Sequence, residues 1–422
     1  MKVFKFGGAS ISSIERIHNL KEILSGYPNE KILVVISAMG KVTNALERVV
    51  EAFYKKEKQN ALDLFQEIKE EHLIVLKHLM DSNSETAEFD LSNIFTEIEW
   101  LLHDEPVRDF NYYYDQVVCC GELLSTLIVS AYLNQDNVIN HWIDVRDVVR
   151  TDDTFRDAAV DWQFTTQLLN DKVLPLFKEK RLVITQGFIG STDENESTTL
   201  GREGSDYTAA VFANILNASH VTIWKDVEGV MNADPKDFTD AVILPALSYK
   251  EVIEMAYYGA QVIHPKTIKP LQNKKIPLHV KCFLDPRLAG TVISSLPDNF
   301  LPPIIVYKHN QVLFTIQSKD YSFVEGEPVN TLHRILAEIK IKPNLSQNTA
   351  ITLMFIADHR EEKTNNAAQQ LEKIFEVMIE KDLTLLTIRH YNGSFISKLT
   401  ENKKVILEQK TLDTIQMVIR NN

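Results

Sequence analysis

The sequence predicts an α/β fold with a mainly parallel sheet, followed by a smaller α+β module. Three observations carry this. The first part of the chain alternates short apolar runs with helical patterns. Several of those runs are continuously apolar rather than alternating, as strands buried on both faces are. Near residue 300 the character changes and a weak internal repeat begins. At 422 residues the chain exceeds one ordinary compact core, so two or three domains are expected.

The strands read in order as "VFKF" (3–6), "ILVVIS" (32–37), "VINHWI" (138–143), "RLVITQGFIG" (181–190), "VTIWKDV" (221–227) and "IPLHVKCF" (276–283). Between them lie helices. "GELLSTLIVSAYL" carries an apolar stripe at Leu123, Leu124, Leu127, Ile128 and Ala131. "SYKE" (248–251) is a capping box that opens another helix, and Gly259 closes it. Strands alternating with helices imply layers around a parallel sheet. Residues 45–110 interrupt the rhythm with polar helical patterns and the soft stretch "DSNSETAEFD" (81–90); they read as a helical insertion. "SLPDNFLPP" (295–303) reads as a linker. Beyond it "LFTIQS" (313–318) resembles "LLTIRH" (385–390), and "TAITLMFIAD" (349–358) matches "TIQMVIRN" (414–421) in strand character. Each pair brackets a helical pattern, which suggests two copies of a small βαβ-type unit. The expected division is therefore 1–295 and 304–422.

Composition excludes several classes. Hydrophobic residues at 44% and charged residues at 24% describe a globular chain. A net charge of −13 without a dense Lys/Arg cluster speaks against nucleic-acid binding. No apolar run of membrane-span length is read, and "MKVFKFGG" opens a strand without a signal-peptide core, so a cytoplasmic protein is expected. Cys119, Cys120 and Cys282 have neither disulfide nor metal spacing, and the histidines are scattered. Three buried thiols and no protein-held metal are expected.

Four stretches at strand ends carry chemistry. In "KFGGAS" (5–10), Gly7 and Gly8 let backbone amides approach an anion, and Lys5 can place an ammonium on it; a tight turn with an exposed lysine is the plain alternative. "SAMGKVTN" (37–44) follows a strand, where open α/β sheets bind ligands, although Thr43 or Asn44 would also serve as a helix cap. "GREGSDYTAAVFANIL" (201–216) sets Arg202 in a glycine loop before a helix whose start attracts anions. There Ser205 or Asp206 reads as the N-cap. In "WKDVEGVMNADPK" (224–236), a strand runs into a loop with an Asp234–Pro235 turn that can wrap a nucleoside or be a turn only. Glu122, in the first turn of an apolar helix, suits the helix dipole or a substrate ammonium.

Taken together, these stretches resemble, in order and spacing, the signature segments of aspartokinases. "WIDVRDVVRTDDTF" (142–155), "VITQGFIGS" (183–191) and "EMAYYGAQVIHP" (254–265) add to the match, which covers residues 1 to about 295. The resemblance implies an amino-acid kinase fold, a mainly parallel sheet sandwiched by helices, followed by paired α+β ACT-like regulatory domains. It implies transfer of the ATP γ-phosphoryl to the β-carboxylate of L-aspartate, the first step toward lysine, threonine and methionine. ATP and Mg²⁺ are the implied cofactors. By position, Lys5 and Asp206 would be catalytic. Thr43, Glu122, Arg202 and Ser205 would bind aspartate, with Glu122 on its ammonium and Arg202 on its α-carboxylate. Lys5, Gly7, Gly8, Lys225, Asp226, Met231, Lys236 and Gln261 would contact ATP. The chain length implies the monofunctional form, and a homodimer or higher oligomer is expected.

The chemistry is consistent with that inventory. An aspartate carboxylate, with a reference pKa of about 3.9, is already ionised at neutral pH and needs no general base. Two anions must instead be brought together, so cations and amides dominate. Some positions depart from the family. Glu203 replaces a glycine, Gln261 a lysine, Lys225 a threonine, Met231 a tyrosine and Lys236 an arginine. The second ACT-like copy has "YNGSFISKL" (391–399) in place of the family's effector loop, which leaves lysine or threonine feedback open. Two other readings stand beside this one: a kinase for glutamate or a related acyl group, and an amino-acid sensor without turnover, to which Glu203 and Gln261 lend support.

Overall fold

The computed structural model describes every residue except 81–83, 297–299, 321–322, 324–325 and 422. The chain divides into two compact units. One comprises Met1–Val230, Ile243–Ile253 and Ile263–Asp298; the other comprises Met231–Val242, Glu254–Val262 and Asn299–Asn422.

Among the described residues the first unit is built on ten strands: β1 (Lys2–Phe6), β2 (Ile32–Ile36), β3 (Asn140–Trp142), β4 (Leu182–Gln186), β5 (Ile189–Ser191), β6 (Ser197–Thr199), β7 (Val221–Lys225), β8 (Ala246–Ser248), β9 (Leu278–Cys282) and β10 (Thr291–Ser294). Eight of them form one sheet in the order β3-β4-β2-β1-β7-β9-β10-β8, while β5 and β6 pair separately. Every pairing in the large sheet is parallel except β9 with β10. All residues of β2 and β4 are buried, which is why those runs are continuously apolar. The six strands expected from the sequence are all present. "RLVITQGFIG" is two strands, because the chain turns at Gly187 and Phe188 and then begins the small β5–β6 hairpin.

Its helices are α1 (Ile14–Ser25), α2 (Val42–Tyr54), α3 (Lys58–Met80), α4 (Glu85–His103), α5 (Phe110–Val118), α6 (Cys120–Gln135), α7 (Trp162–Leu168), α8 (Gly204–Ile215), α9 (Tyr249–Tyr258) and α10 (Pro265–Lys274). The insertion is α2 to α4, and α2 begins at Val42, directly behind the β2 loop. The stretch read as soft at 81–90 is helical from Glu85; residues 81–83 lie outside the described residues. Ser248 Oγ accepts from Glu251 N–H at 3.0 Å, and Gly259 has φ +109°, so α9 starts and stops as its caps require. The stretch Phe110–Gln135 has the length and composition of a membrane span, contrary to expectation. It is a core element, with 83% of its most apolar window buried.

The second unit contains β11 (Ile304–Ser318), α11 (Glu327–Glu338), β12 (Leu345–Asn348), β13 (Thr352–Asp358), α12 (Glu361–Glu372), β14 (Phe375–Arg389), α13 (Gly393–Thr400), β15 (Lys403–Lys410) and β16 (Thr414–Asn421). Its sheet order, β12-β13-β11-β14-β16-β15, reads as two mirrored halves that meet where the long strands β11 and β14 pair. The repeat in the sequence is therefore real, but the unit is not a parallel βαβ: every pairing is antiparallel. Phe314 and Phe355 stack at 4.6 Å in the core of one half. Asn392 Oδ1 accepts from Phe395 N–H and caps α13, which gives "YNGSFISKL" a structural role.

Candidate active site

Parallel pairing brings the carboxyl ends of β1, β2, β4 and β7 to one edge of the sheet. From the neighbouring strands β1 and β7 the chain runs on in opposite directions, to β2 on one side and to β8 and β9 on the other, and such a switch point opens a crevice. The pleat of β1 buries Phe4 and Phe6 against Trp224 and turns Lys5 to the other face. There its Nζ lies 2.7 Å from Asp206 Oδ1, on the first turn of α8. Both side chains are largely buried, and the contact is ionic rather than a well-directed hydrogen bond.

A cavity of about 420 Å³ opens at this edge. Lys5, Thr43, Glu122, Arg202, Ser205 and Asp206, six positions singled out from the sequence, all line it. The N-cap of α8 is Glu203, not Ser205 or Asp206, and α2 starts from Lys41 without a side-chain cap. The hydroxyls and carboxylate read as possible caps thus face other duties: Asp206 pairs with Lys5, and Thr43 and Ser205 line the cavity.

Glu122 is the most unusual of these groups. It is 3% exposed, and its Oε1 accepts from Ala38 N–H at 3.1 Å. Its Oε2 is buried without a partner among the described residues. Burial pushes its pKa up to about 8, against the opposing pull of the Ala38 amide and Lys5. A carboxylate held this way is short of one cation or donor.

Gly7 and Gly8 adjoin the cavity through Lys5. A methyl on Gly8 would lie 2.6 Å from Ala38 O, and Gly8 O accepts from Gly40 N–H, so close approach of two loops already demands glycine there. Lys225 ends β7, half-buried, and Asp226 follows it, exposed; neither lines the cavity. Met231, Lys236 and Gln261 lie on segments that belong to the second unit. There Lys236 N–H donates to Asp234 Oδ1, confirming the Asp-Pro turn, and Gln261 is exposed. No group of three His, Cys, Asp or Glu side chains among the described residues is placed to hold a metal.

Residues 1–282 match the model of the amino acid kinase family. Over 396 residues the chain is 32% identical to the lysine-sensitive aspartokinase 3 of Escherichia coli, covering 92% of this chain and 86% of that one. The chain belongs to the amino acid kinase family, on its aspartokinase branch. It is also 34% identical to the chloroplastic bifunctional aspartokinase/homoserine dehydrogenase 1 of Zea mays, over 70% of this chain and only 32% of that protein. Among solved structures, E. coli aspartokinase III in complex with aspartate and ADP superposes with a TM-score of 0.82 at 28% identity, covering 99% of this chain and 96% of the other.

In this amino acid kinase the glycine departure at Glu203 has a physical account. Glu203 adopts φ +54°, the left-handed conformation that glycine takes at no cost. Its Oε2 accepts from His264 N–H at 2.8 Å, so the added carboxylate is committed to the backbone. That removes one of the two supports for a sensor without turnover. Ser37, the first residue of the "SAMGKVTN" stretch read as a ligand-binding strand end, lines the cavity too; the sequence reading missed Tyr114, Arg156, Phe188 and Thr199, which also line it. It missed Asp115 beneath them as well. Buried Asp115 accepts from Arg156 N–H at 3.0 Å and from the Thr199 N–H and hydroxyl at 2.7 Å each. Burial raises its pKa to about 6 in spite of those bonds. A lone carboxylate in the apolar run "NYYYDQVVCC" was the only available signal.

Proposed function

We propose that this aspartokinase-branch chain transfers the γ-phosphoryl of ATP to the β-carboxylate of L-aspartate, giving 4-phospho-L-aspartate and ADP. The observation that carries the reading is Glu122 Oε2, without a partner among the described residues, in a cavity that Lys5, Arg156 and Arg202 also line. A free α-amino acid supplies what is missing: an ammonium for Glu122 and a carboxylate for Arg202, whose guanidinium grips it in a planar fork. Thr43 and Ser205 hydroxyls orient the same ligand. Lys5 stabilises the charge that develops on the transferring phosphoryl group, and Asp206 holds Lys5 in place. One β-carboxylate oxygen attacks the γ-phosphorus, and the bond to ADP breaks with its electrons leaving on ADP.

Nucleotide arrives as MgATP, the ion riding on the phosphates, where it offsets their charge. Gly7, Gly8, Lys225, Asp226, Met231, Lys236 and Gln261 are proposed to meet it. The E. coli relative is named lysine-sensitive, and its solved complexes hold lysine with aspartate or aspartate with ADP. By analogy we place a feedback effector, lysine or threonine, on the second unit, and expect a homodimer or higher oligomer in the cytoplasm.

The test is coupled ADP release from ATP and Mg²⁺, with and without L-aspartate, and with L-glutamate as control. Aspartate-dependent turnover supports the reading, and added lysine or threonine then probes feedback. ATP binding without turnover on any amino acid would replace it with a sensing role.

A further inference from the structure

Three non-glycine residues on the cavity wall hold positive φ: Arg156 at +72°, Phe188 at +72° and Glu203 at +54°. Strained backbone that persists at a site points to function. Arg156 is tied down with unusual care. Its N–H donates to buried Asp115, and its guanidinium lies over the Tyr114 ring at 4.2 Å. The same Asp115 carboxylate holds Thr199, so two residues of the cavity wall hang on one buried anion. Tyr114 is fixed in turn by its hydroxyl, which donates to Glu47 at 2.8 Å. The Arg156 guanidinium also donates to the neutral Asn111 Oδ1 at 3.4 Å, yet no carboxylate among the described residues pairs with it, whereas Lys5 already has Asp206.

Resting on the aspartate reading, the charge inventory leaves one group without a partner. An acidic amino acid brings one ammonium and two carboxylates. Glu122 meets the ammonium and Arg202 one carboxylate. We propose that Arg156 is a further substrate-binding residue that takes the side-chain carboxylate and makes the cavity selective for a dicarboxylate. Held by one oxygen, that carboxylate keeps the other for attack, and the guanidinium reduces its repulsion from the incoming phosphates.

Arg156→Gly is the informative variant, because glycine adopts the left-handed backbone freely and the fold is spared. The expected result is a tenfold or larger rise in the aspartate KM, an ATP KM within twofold of the parent, and a Tm unchanged or higher. Binding of L-asparagine, which lacks the second charge, should stay within twofold, and Arg156→Lys should recover part of the aspartate affinity. An unchanged aspartate KM would overturn the assignment. So would a rise confined to ATP, or an equal loss for asparagine, which would place Arg156 on the phosphates or on the α-carboxylate. Parent enzyme that turns over aspartate with an indifferent Arg156→Gly rejects this inference alone; parent enzyme inert with aspartate rejects the functional reading beneath it.

Discussion

Aspartate binding should expel a proton, and Glu122 is the reason. Its pKa of about 8 means that the ligand-free protein carries Glu122 mainly protonated at neutral pH. An ammonium pairs only with the ionised form. Apparent affinity should therefore fall about tenfold for each pH unit below 8, the slope of a single linked proton. At pH 6.5 only about 3% of Glu122 is ionised, so binding should be roughly 30-fold weaker than its high-pH limit. The linkage also acts on the fold. A carboxyl whose folded pKa is raised above its ordinary 4.5 favours folding most below pH 4.5, and that contribution is lost as pH climbs toward 8. At pH 7 the loss is on the order of 3 kcal/mol. Calorimetric titration of aspartate at pH 6.5, in two buffers of different ionisation enthalpy, measures the proton directly. Close to one proton released per aspartate is expected, and Glu122→Gln should abolish both the release and the affinity while flattening the ligand-free Tm profile between pH 5 and 8. A binding enthalpy independent of buffer, with constant affinity from pH 6.5 to 8, would refute the argument.

Lys5→Ala should lower kcat by a hundredfold or more with a much smaller change in aspartate KM, because its charge acts on the phosphoryl group; steady-state kinetics in both substrates separates the two, and an intact kcat would remove the assigned role. Arg202→Ala should raise the aspartate KM by about 2 kcal/mol or more in free-energy terms, the value of a charged bidentate contact, and an unaffected KM would take Arg202 out of the substrate site. Glu203→Gly relieves left-handed strain of about 1 kcal/mol but strips His264 N–H of a charged acceptor. A net destabilisation of about 1 kcal/mol in denaturant melts is expected, while tenfold tighter aspartate binding would show that the carboxylate had been repelling substrate.

Much of the site was legible because strand ends announce themselves. A run such as "ILVVI" must be buried on both faces, so its carboxyl end and the polar residues that follow are located by hydrophobicity alone. Lys5, Thr43, Glu122, Arg202, Ser205 and Asp206 were found that way and through the family resemblance, and one cavity contains them all. Arg156 and Asp115 were not legible. Neither sits in a glycine loop, and their importance arises from a bond between residues 41 positions apart. The antiparallel character of the second unit was equally hidden, since strand polarity depends on which edges meet.

By itself the sequence determined the elements, the alternation of strands and helices, and the inventory of charges at strand ends, because periodicity and local backbone preference are properties of neighbours along the chain. Tertiary structure alone decided the states of those charges. It paired Lys5 with Asp206, turned the Glu203 carboxylate to a backbone amide, and left Glu122 Oε2 buried without a partner among the described residues. Desolvation and Coulomb interaction depend on what surrounds a group in space, and only the folded chain determines those surroundings.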